Sequence, residues 1–233
     1  MIPLKDDNPR FTVPFVTVLM ILANVAVFFY QVSLPQRAGQ HLVMMYGMVP
    51  ARVEAAFSGG SVPLGLALEP LITSMFLHSG WLHLIGNMWF LWIFGDNVED
   101  ELGHAGFLLF YMFCGVAAGV THTIANWGSS LPAIGASGAI AGVMGAYLIF
   151  FPRAKVLTLV PLLVFFFTVR LPAIFLIGIW FLMQFFSGVG SLGTDSGGGV
   201  AWWAHIGGFI LGMFLVWGLR QQRRQYDSWS PSG

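Results

Sequence analysis

Charged residues are scarce in this sequence. They make up 9% of the 233 residues, whereas soluble domains carry about 25%. With 57% hydrophobic residues and a formal net charge of zero, the composition is typical of a membrane protein and gives no reason to expect nucleic acid as a partner. The single cysteine, Cys114, excludes an intramolecular disulfide, and no metal site can be inferred from it.

Acidic residues are missing from the interior of the long apolar runs. They lie only in the predicted connections or at the ends of spans: Asp6, Asp7, Glu54, Glu69, Asp96, Glu99, Asp100, Glu101, Asp195 and Asp227. A membrane aspartyl protease needs two carboxylates inside the bilayer, and ion-coupled transporters usually carry an intramembrane acid or broken-helix repeats. The chain also lacks the His-Glu-x-x-His motif of zinc proteases. We therefore expect no metal and no other cofactor.

Six apolar runs predict an all-α polytopic membrane protein, a bundle of six transmembrane helices. The predicted spans cover about residues 14–34, 71–94, 107–125, 134–151, 172–186 and 200–219. Residues 1–13 are predicted to be a polar N-terminal segment, and residues 220–233 a basic and then polar tail.

Three connections have distinctive compositions. Residues 35–69 mix polar and aliphatic side chains, so we expect them to pack at the membrane interface. The run Val156–Thr168 is apolar but contains Pro161 and is too short to cross, which favours an interfacial or re-entrant segment without deciding between the two. Residues 188–199 hold six glycines and are interpreted as a mobile lid over a cavity.

The distribution of basic residues predicts the orientation. An even number of spans places both termini on the same side of the membrane. The inner segments would then hold Lys5, Arg10, Arg153, Lys155, Arg170, Arg220, Arg223 and Arg224, and the outer segments only Arg37 and Arg52. This asymmetry follows the positive-inside rule, so both termini are predicted to be cytoplasmic.

Four polar residues are predicted to meet within the membrane. His83 and Asn87 share one face of the second span, Ser137 opens the fourth, and His205 lies near the start of the sixth. Taken singly, such residues usually serve helix packing or interhelical hydrogen bonding. Spans two, four and six run in the same direction, however, and all four residues lie in the outward halves, which favours a functional site.

Small residues indicate how two of these spans could dock. Gly208 and Gly212 share a face with His205, and Ala141 and Gly145 continue the face of Ser137. Small side chains let helix backbones come close. We expect the two faces to pack together and to bring Ser137 within hydrogen-bond reach of His205.

These residues suit acyl transfer. A serine becomes a nucleophile only when a base removes its proton, and His205 is the candidate base for Ser137. Because the spans contain no acid, the pair would act as a dyad. The backbone N–H of Ser137, the His83 imidazole and the Asn87 amide could donate to the developing oxyanion.

At these positions the sequence resembles the rhomboid family of intramembrane serine proteases, particularly the bacterial six-helix type, from about residue 14 to residue 219. The matching motifs are His78 with His83-x-x-x-Asn87, Gly95-x-x-x-Glu99-x-x-x-Gly103, Gly135-x-Ser137-Gly138, and Ala204-His205 with Gly208-x-x-x-Gly212. The resemblance implies Ser137 as nucleophile, His205 as general base, and His83, Asn87 and the Ser137 N–H as oxyanion hole. It implies structural roles for Gly208, Gly212, Glu99 and His78, the last tying the first loop to span two.

The sequence departs from the family pattern in two places. Some members carry an aromatic ring four residues after the serine that packs on the catalytic histidine, whereas this chain has Ala141. What orients His205 is therefore left open. The Trp-Arg pair that some members have in the first loop is also absent.

The resulting hypothesis is an integral membrane serine endopeptidase in a bacterial inner membrane, with its active site opening to the outer face. Its partners would be the lipid bilayer and transmembrane-helix proteins with small, helix-weakening residues near the cleaved bond, because a peptide bond must leave its helix before a serine can attack it. The alternative is a non-catalytic rhomboid-like protein that binds membrane clients. A channel or transporter is disfavoured by the absence of intramembrane acids.

Overall fold

The computed structural model describes residues 1–162, 165–191 and 201–229. In that part of the chain the helices are α1 (Phe15–Ser33), α2 (Gln36–Tyr46), α3 (Pro50–Phe57), α4 (Leu64–Leu68), α5 (Pro70–Thr73), α6 (Trp81–Leu102), α7 (His104–Ala125), α8 (Ser137–Phe150), α9 (Ala173–Gly190) and α10 (Trp202–Trp229), and a 3-10 turn covers Ser74–Phe76. The strands are β1 (Ile2–Asp6), β2 (Lys155–Leu162) and β3 (Phe165–Pro172).

The helices form a polytopic membrane bundle, as the sequence predicts. Four of the described helices are long and apolar enough to cross a membrane, namely α1, α7, α9 and the Trp202–Arg220 part of α10. The other two predicted spans correspond to two further helices. One is α6, whose last turns are acidic, and the other is α8, which has 14 residues.

The second predicted span has different bounds in the structure. The prediction ran from residue 71 to residue 94, but α6 begins at Trp81, and residues 70–76 form α5 and the 3-10 turn. At its other end α6 continues to Leu102, through the acidic stretch that was predicted to be a connection. Two of these acids, Asp100 and Glu99, accept hydrogen bonds from backbone N–H groups near the N-terminus.

Glu99 shows how one of these acids is used. Its buried carboxylate accepts the backbone N–H groups of Val16 and Thr17 at 2.8 and 2.7 Å and the Thr17 hydroxyl at 2.7 Å. His104 Nδ1 lies 2.6 Å from the same carboxylate. The first N–H groups of a helix have no partner within the helix, so Glu99 caps the start of α1 and joins it to α6.

The described residues of the run Val156–Thr168 belong to two antiparallel strands, β2 and β3. The β2–β3 register runs from Lys155 opposite Pro172 to Leu162 opposite Phe165, and β1 pairs with the other edge of β2. This small sheet adds to the helical bundle and was not expected from the sequence. The run is rich in β-branched and aromatic residues, which favour strands, and hydropathy alone does not distinguish such a strand from a short buried helix.

The N-terminal residues are fixed to the bundle by polar contacts. The Trp89 indole donates to the Pro3 carbonyl at 2.6 Å, and the Tyr147 hydroxyl donates to Asp6 at 2.7 Å. Burial raises the pKa of the Asp6 carboxyl, and its hydrogen bonds from Tyr147 and Asn8 oppose that effect. The polar segment predicted for residues 1–13 therefore includes an ordered strand.

The last two spans extend beyond their predicted ends. Helix α9 continues to Gly190, so the first glycines of the predicted 188–199 lid belong to its last turn. Residues 192–199 of that lid lie outside the described part of the chain. Helix α10 continues through residues 220–229, which were predicted to form a tail.

Helix α8 occupies the centre of the bundle, and most of its residues are buried. A Cβ added at Gly208 would meet the backbone carbonyl of Gly138, and one added at Gly212 would meet that of Gly142. The close approach of α8 and α10 agrees with the prediction, but the face of α8 that makes it is formed by Gly138, Gly142 and Gly145 rather than by Ser137 and Ala141. These residues recur at intervals of four and three, which places them on one helix face.

Candidate active site

Ser137 and His205 form a hydrogen-bonded pair between α8 and α10. The Ser137 Oγ lies 2.7 Å from His205 Nε2. Ser137 is the first residue of α8 and is half-buried, whereas His205 is buried with 6% of its surface exposed. The glycine contacts between the two helices bring their backbones together at this level, so the side chains need no long reach to meet.

A third residue, which the sequence pattern did not single out, completes this arrangement. Gln184 on α9 is 7% exposed, and its Oε1 lies 2.6 Å from His205 Nδ1. Trp180, one turn earlier on α9, has its ring centroid 5.6 Å from that of His205, with an angle of 37° between the planes. The signal in the sequence is a lone glutamine inside an apolar span, because such a residue seldom faces lipid.

His83 has a tautomer that can be deduced from its contacts. The Ser79 backbone N–H donates to His83 Nδ1 at 3.3 Å, and the Ser79 Oγ lies 3.1 Å from the same nitrogen. A backbone N–H can only donate, so Nδ1 of the neutral ring must be the acceptor and the proton must be on Nε2. His83 therefore presents an N–H donor at Nε2.

This donor and the Asn87 amide both face Gly135, two residues before the serine. A Cβ added at Gly135 would lie 2.8 Å from His83 Nε2 and 3.6 Å from Asn87 Nδ2. Gly135 has a φ of +124°, which L side chains rarely adopt. The buried Nδ2 of Asn87 has no hydrogen-bond partner among the described residues. Two N–H groups therefore point into a space that only a glycine leaves open.

A small pocket, partly open to solvent, adjoins Ser137. Small residues of α7 and α8 form much of its wall, including Gly115, Ala118, Gly119 and Gly138. His122 also lines it, and its Nδ1 lies 3.3 Å from Asn126 Nδ2 on the same helix. Small side chains therefore border the open space beside the serine.

Comparison with known proteins identifies the family. The Rhomboid domain model matches residues 67–222, which is more than half of the chain. The chain belongs to the rhomboid family. This rhomboid domain contains every site residue described above, from His83 to His205.

Individual rhomboid proteins match over parts of the chain. Rhomboid protein 1, mitochondrial, from Saccharomyces cerevisiae is 31% identical over 63% of this chain and 40% of its own length. Rhomboid protease GluP from Bacillus subtilis is 46% identical over 34% of this chain and 15% of its own length. Rhomboid-like protein 11, chloroplastic, from Arabidopsis thaliana is 40% identical over 31% of this chain and 25% of its own length. The matched regions thus span less than half of these relatives.

His78 lies just before α6, in contact with α1. Its backbone N–H and C=O bond the Gln31 side chain of α1 at 3.2 and 2.7 Å. Its buried ring packs edge-on against Phe28 and against His83, with centroids 6.5 and 5.0 Å away. Both Gln31 and Phe28 belong to α1, so His78 joins the segment before α6 to that helix.

Metal ligands are not clustered in the described part of this rhomboid chain. No group of three or more His, Cys, Asp or Glu side chains there could hold a metal ion. Cys114 is buried in α7, where a Cβ added at Gly142 would meet it at 2.5 Å. The cysteine packs between helices.

Proposed function

We propose that this rhomboid-family membrane protein is a serine endopeptidase that hydrolyses peptide bonds in or near transmembrane segments of other proteins. The observation that carries the proposal is the 2.7 Å hydrogen bond between Ser137 Oγ and His205 Nε2, beside two N–H donors that face Gly135. One of its relatives, rhomboid protease GluP from Bacillus subtilis, supports the same reaction class.

The first step forms an acyl-enzyme. The Ser137 hydroxyl gives its proton to His205 Nε2 while its oxygen attacks the carbonyl carbon of the scissile peptide bond. The carbonyl electron pair moves onto the oxygen and gives a tetrahedral oxyanion. When the intermediate collapses, the C–N bond breaks and the His205 imidazolium returns the proton to the leaving amine.

Three donors are available to the oxyanion. The Ser137 N–H is in the first turn of α8, where no carbonyl of the helix accepts it. The Nε2–H of His83 and the Nδ2 of Asn87 approach from α6. Such fixed donors stabilise the charge that develops in the transition state more strongly than they would in bulk water.

The second step consumes water. His205 takes a proton from a water molecule as that water attacks the acyl carbon, and the proton then passes to Ser137 Oγ when the ester bond breaks. The pocket beside Ser137 is lined by small residues, so we propose that the substrate presents a small side chain there. The local helix of the substrate must open before its carbonyl can reach the serine.

Cleavage by the purified protein tests the proposal. The wild type, reconstituted in liposomes with a fluorogenic single-span substrate, is expected to cleave it and to react covalently with a fluorophosphonate probe. Ser137→Ala is expected to lose both activities, and His205→Ala to lose cleavage, while both variants keep the unfolding temperature of the wild type. A chelator should leave the rate unchanged.

Three results would contradict the proposal. Cleavage by Ser137→Ala at the rate of the wild type would remove the serine from the mechanism. Inhibition by the chelator would indicate a metal enzyme instead. A wild type that binds the substrate but neither cleaves it nor reacts with the probe would support the non-catalytic alternative.

A further inference from the structure

We infer that Gln184 is a positioning residue that holds His205 in the tautomer and orientation a general base needs. The inference rests on the proposed function, because it assigns a role within the same reaction. Its basis is the hydrogen bond between Gln184 Oε1 and His205 Nδ1, 2.6 Å long, between two side chains that are 7% and 6% exposed.

The identity of the Gln184 atom determines where the ring proton is. An amide oxygen can only accept a hydrogen bond, so Nδ1 of His205 carries the proton. The neutral ring then has its lone pair on Nε2, which faces the Ser137 hydroxyl at 2.7 Å. In the opposite tautomer Nε2 would carry the proton and could not accept the one from serine.

The same bond becomes stronger during the reaction. When His205 takes the serine proton the ring becomes positively charged, and hydrogen bonds from charged donors are about twice as strong as neutral ones. Among the described residues, the ring nitrogens of His205 bond only to Ser137 and Gln184. The titratable groups that act on it electrostatically are two other histidines, His83 and His122. The amide oxygen therefore takes the place that a carboxylate has in a serine-protease triad.

Helix α9 also fixes the plane of the ring. Trp180 precedes Gln184 by one turn and packs at an angle of 37° against His205, while Phe209 lies 6.3 Å from the same indole. The residue four positions after the serine is Ala141, which offers no ring to the histidine. Two side chains of α9 thus supply the contacts that Ala141 lacks.

Two substitutions at Gln184 separate positioning from packing. Gln184→Met keeps the length of the side chain but removes the acceptor, and Gln184→Glu keeps an acceptor oxygen. For Gln184→Met we expect kcat to fall about 10- to 100-fold, as for the loss of a hydrogen bond to a charged group, with KM within twofold of the wild type. Gln184→Glu should retain kcat within about tenfold, and Leu182→Met, on the exposed face of α9, should match the wild type.

A spectroscopic measurement reads the tautomer without relying on activity. In Ser137→Ala protein labelled with 15N-histidine, the His205 ring should show a protonated Nδ1 and an unprotonated Nε2 near neutral pH. Adding Gln184→Met should give a mixture of tautomers. If Gln184→Met is poorly folded, the Ser137→Ala spectrum still tests the inference, because it reports the tautomer of His205 in the presence of Gln184.

The possible failures can be told apart. A wild type that neither cleaves nor reacts with the fluorophosphonate defeats the proposed function, whatever the tautomer. An active wild type with unchanged kcat in Gln184→Met, or a His205 ring protonated at Nε2 in the Ser137→Ala protein, overturns the inference about Gln184.

Discussion

At the scale of single residues, the candidate site depends on which nitrogen of each histidine carries the proton. His205 meets an amide oxygen at Nδ1 and is left with an acceptor nitrogen towards Ser137. His83 meets the Ser79 N–H at Nδ1 and is left with a donor. Under the proposed mechanism, these two histidines would have opposite tasks, one to take a proton and the other to stabilise a negative charge.

Asn87 provides a prediction at this scale. Its Nδ2 is buried and has no partner among the described residues, so Asn87→Ala removes a donor without leaving a broken hydrogen bond. We expect kcat to fall about 100-fold or more, as for other oxyanion-hole donors, with little change in the unfolding temperature. Cleavage kinetics and thermal unfolding of the same preparation measure both effects.

The matched control for Asn87→Ala is Gln40→Ala, which shortens an exposed amide side chain outside the site. It should leave kcat unchanged. If Asn87→Ala instead lowers the unfolding temperature and spares kcat, Asn87 serves helix packing and not the oxyanion.

At the scale of helices, the contact between α8 and α10 determines whether the serine and the histidine can meet. Gly208 and Gly212 each lie against a backbone carbonyl of α8, so no side chain separates the two helices. Van der Waals packing between close backbones stabilises such pairs in membranes, where a hydrophobic driving force between helices is absent. Helix α9 contacts His205 through the side chains of Gln184 and Trp180.

Gly212→Ala tests this contact. The new Cβ would meet the Gly142 backbone, which cannot move as a flexible side chain can. We expect a loss of about 1–3 kcal/mol in the free energy of unfolding, as for other overpacked sites. Denaturant titration in detergent micelles measures it.

Gly218→Ala serves as the control on the same helix, because a Cβ there would meet nothing within 4 Å. It should be neutral or slightly stabilising, since alanine favours helices more than glycine does. Equal unfolding free energies for the two variants would show that the close approach at Gly212 is not needed for stability.

At the scale of the whole molecule, the basic residues determine the expected orientation. Strands β2 and β3 pair with each other between α8 and α9 and do not form a seventh helix, which is compatible with the predicted even number of spans. The basic residues of these strands, Lys155 and Arg170, are then predicted to be on the same side as both termini. Ser137 begins α8 at the opposite end, which is the predicted outer side.

Cysteine labelling in intact cells tests this orientation. Cys114 is fully buried, so Cys114→Ala provides a background without reactive cysteines. On that background Ser130→Cys, in the exposed connection before α8, should react with a membrane-impermeant maleimide in intact bacteria. Arg10→Cys should react only after lysis. The reverse pattern would place the site on the cytoplasmic side.

Much of the architecture could be predicted from local properties of the chain. Hydropathy identifies the membrane helices because the free energy of placing a helix in lipid depends on the composition and length of that helix. The spacing of His83 and Asn87 and of Gly208 and Gly212 indicates shared helix faces because the helical period is constant. The expectation that Ser137 and His205 would come within hydrogen-bond reach followed from direction and depth, and the two atoms are 2.7 Å apart.

The sequence by itself therefore determined the membrane class, the approximate helices and the residue types that the chemistry requires. Only the tertiary structure decided that Gln184 binds His205, that Gln31 binds the backbone of His78, and that Val156–Thr168 pairs as strands. The physical reason is that these features are contacts between segments far apart in the chain. Their energy depends on which surfaces meet after packing, and no local pattern of polarity or spacing specifies that.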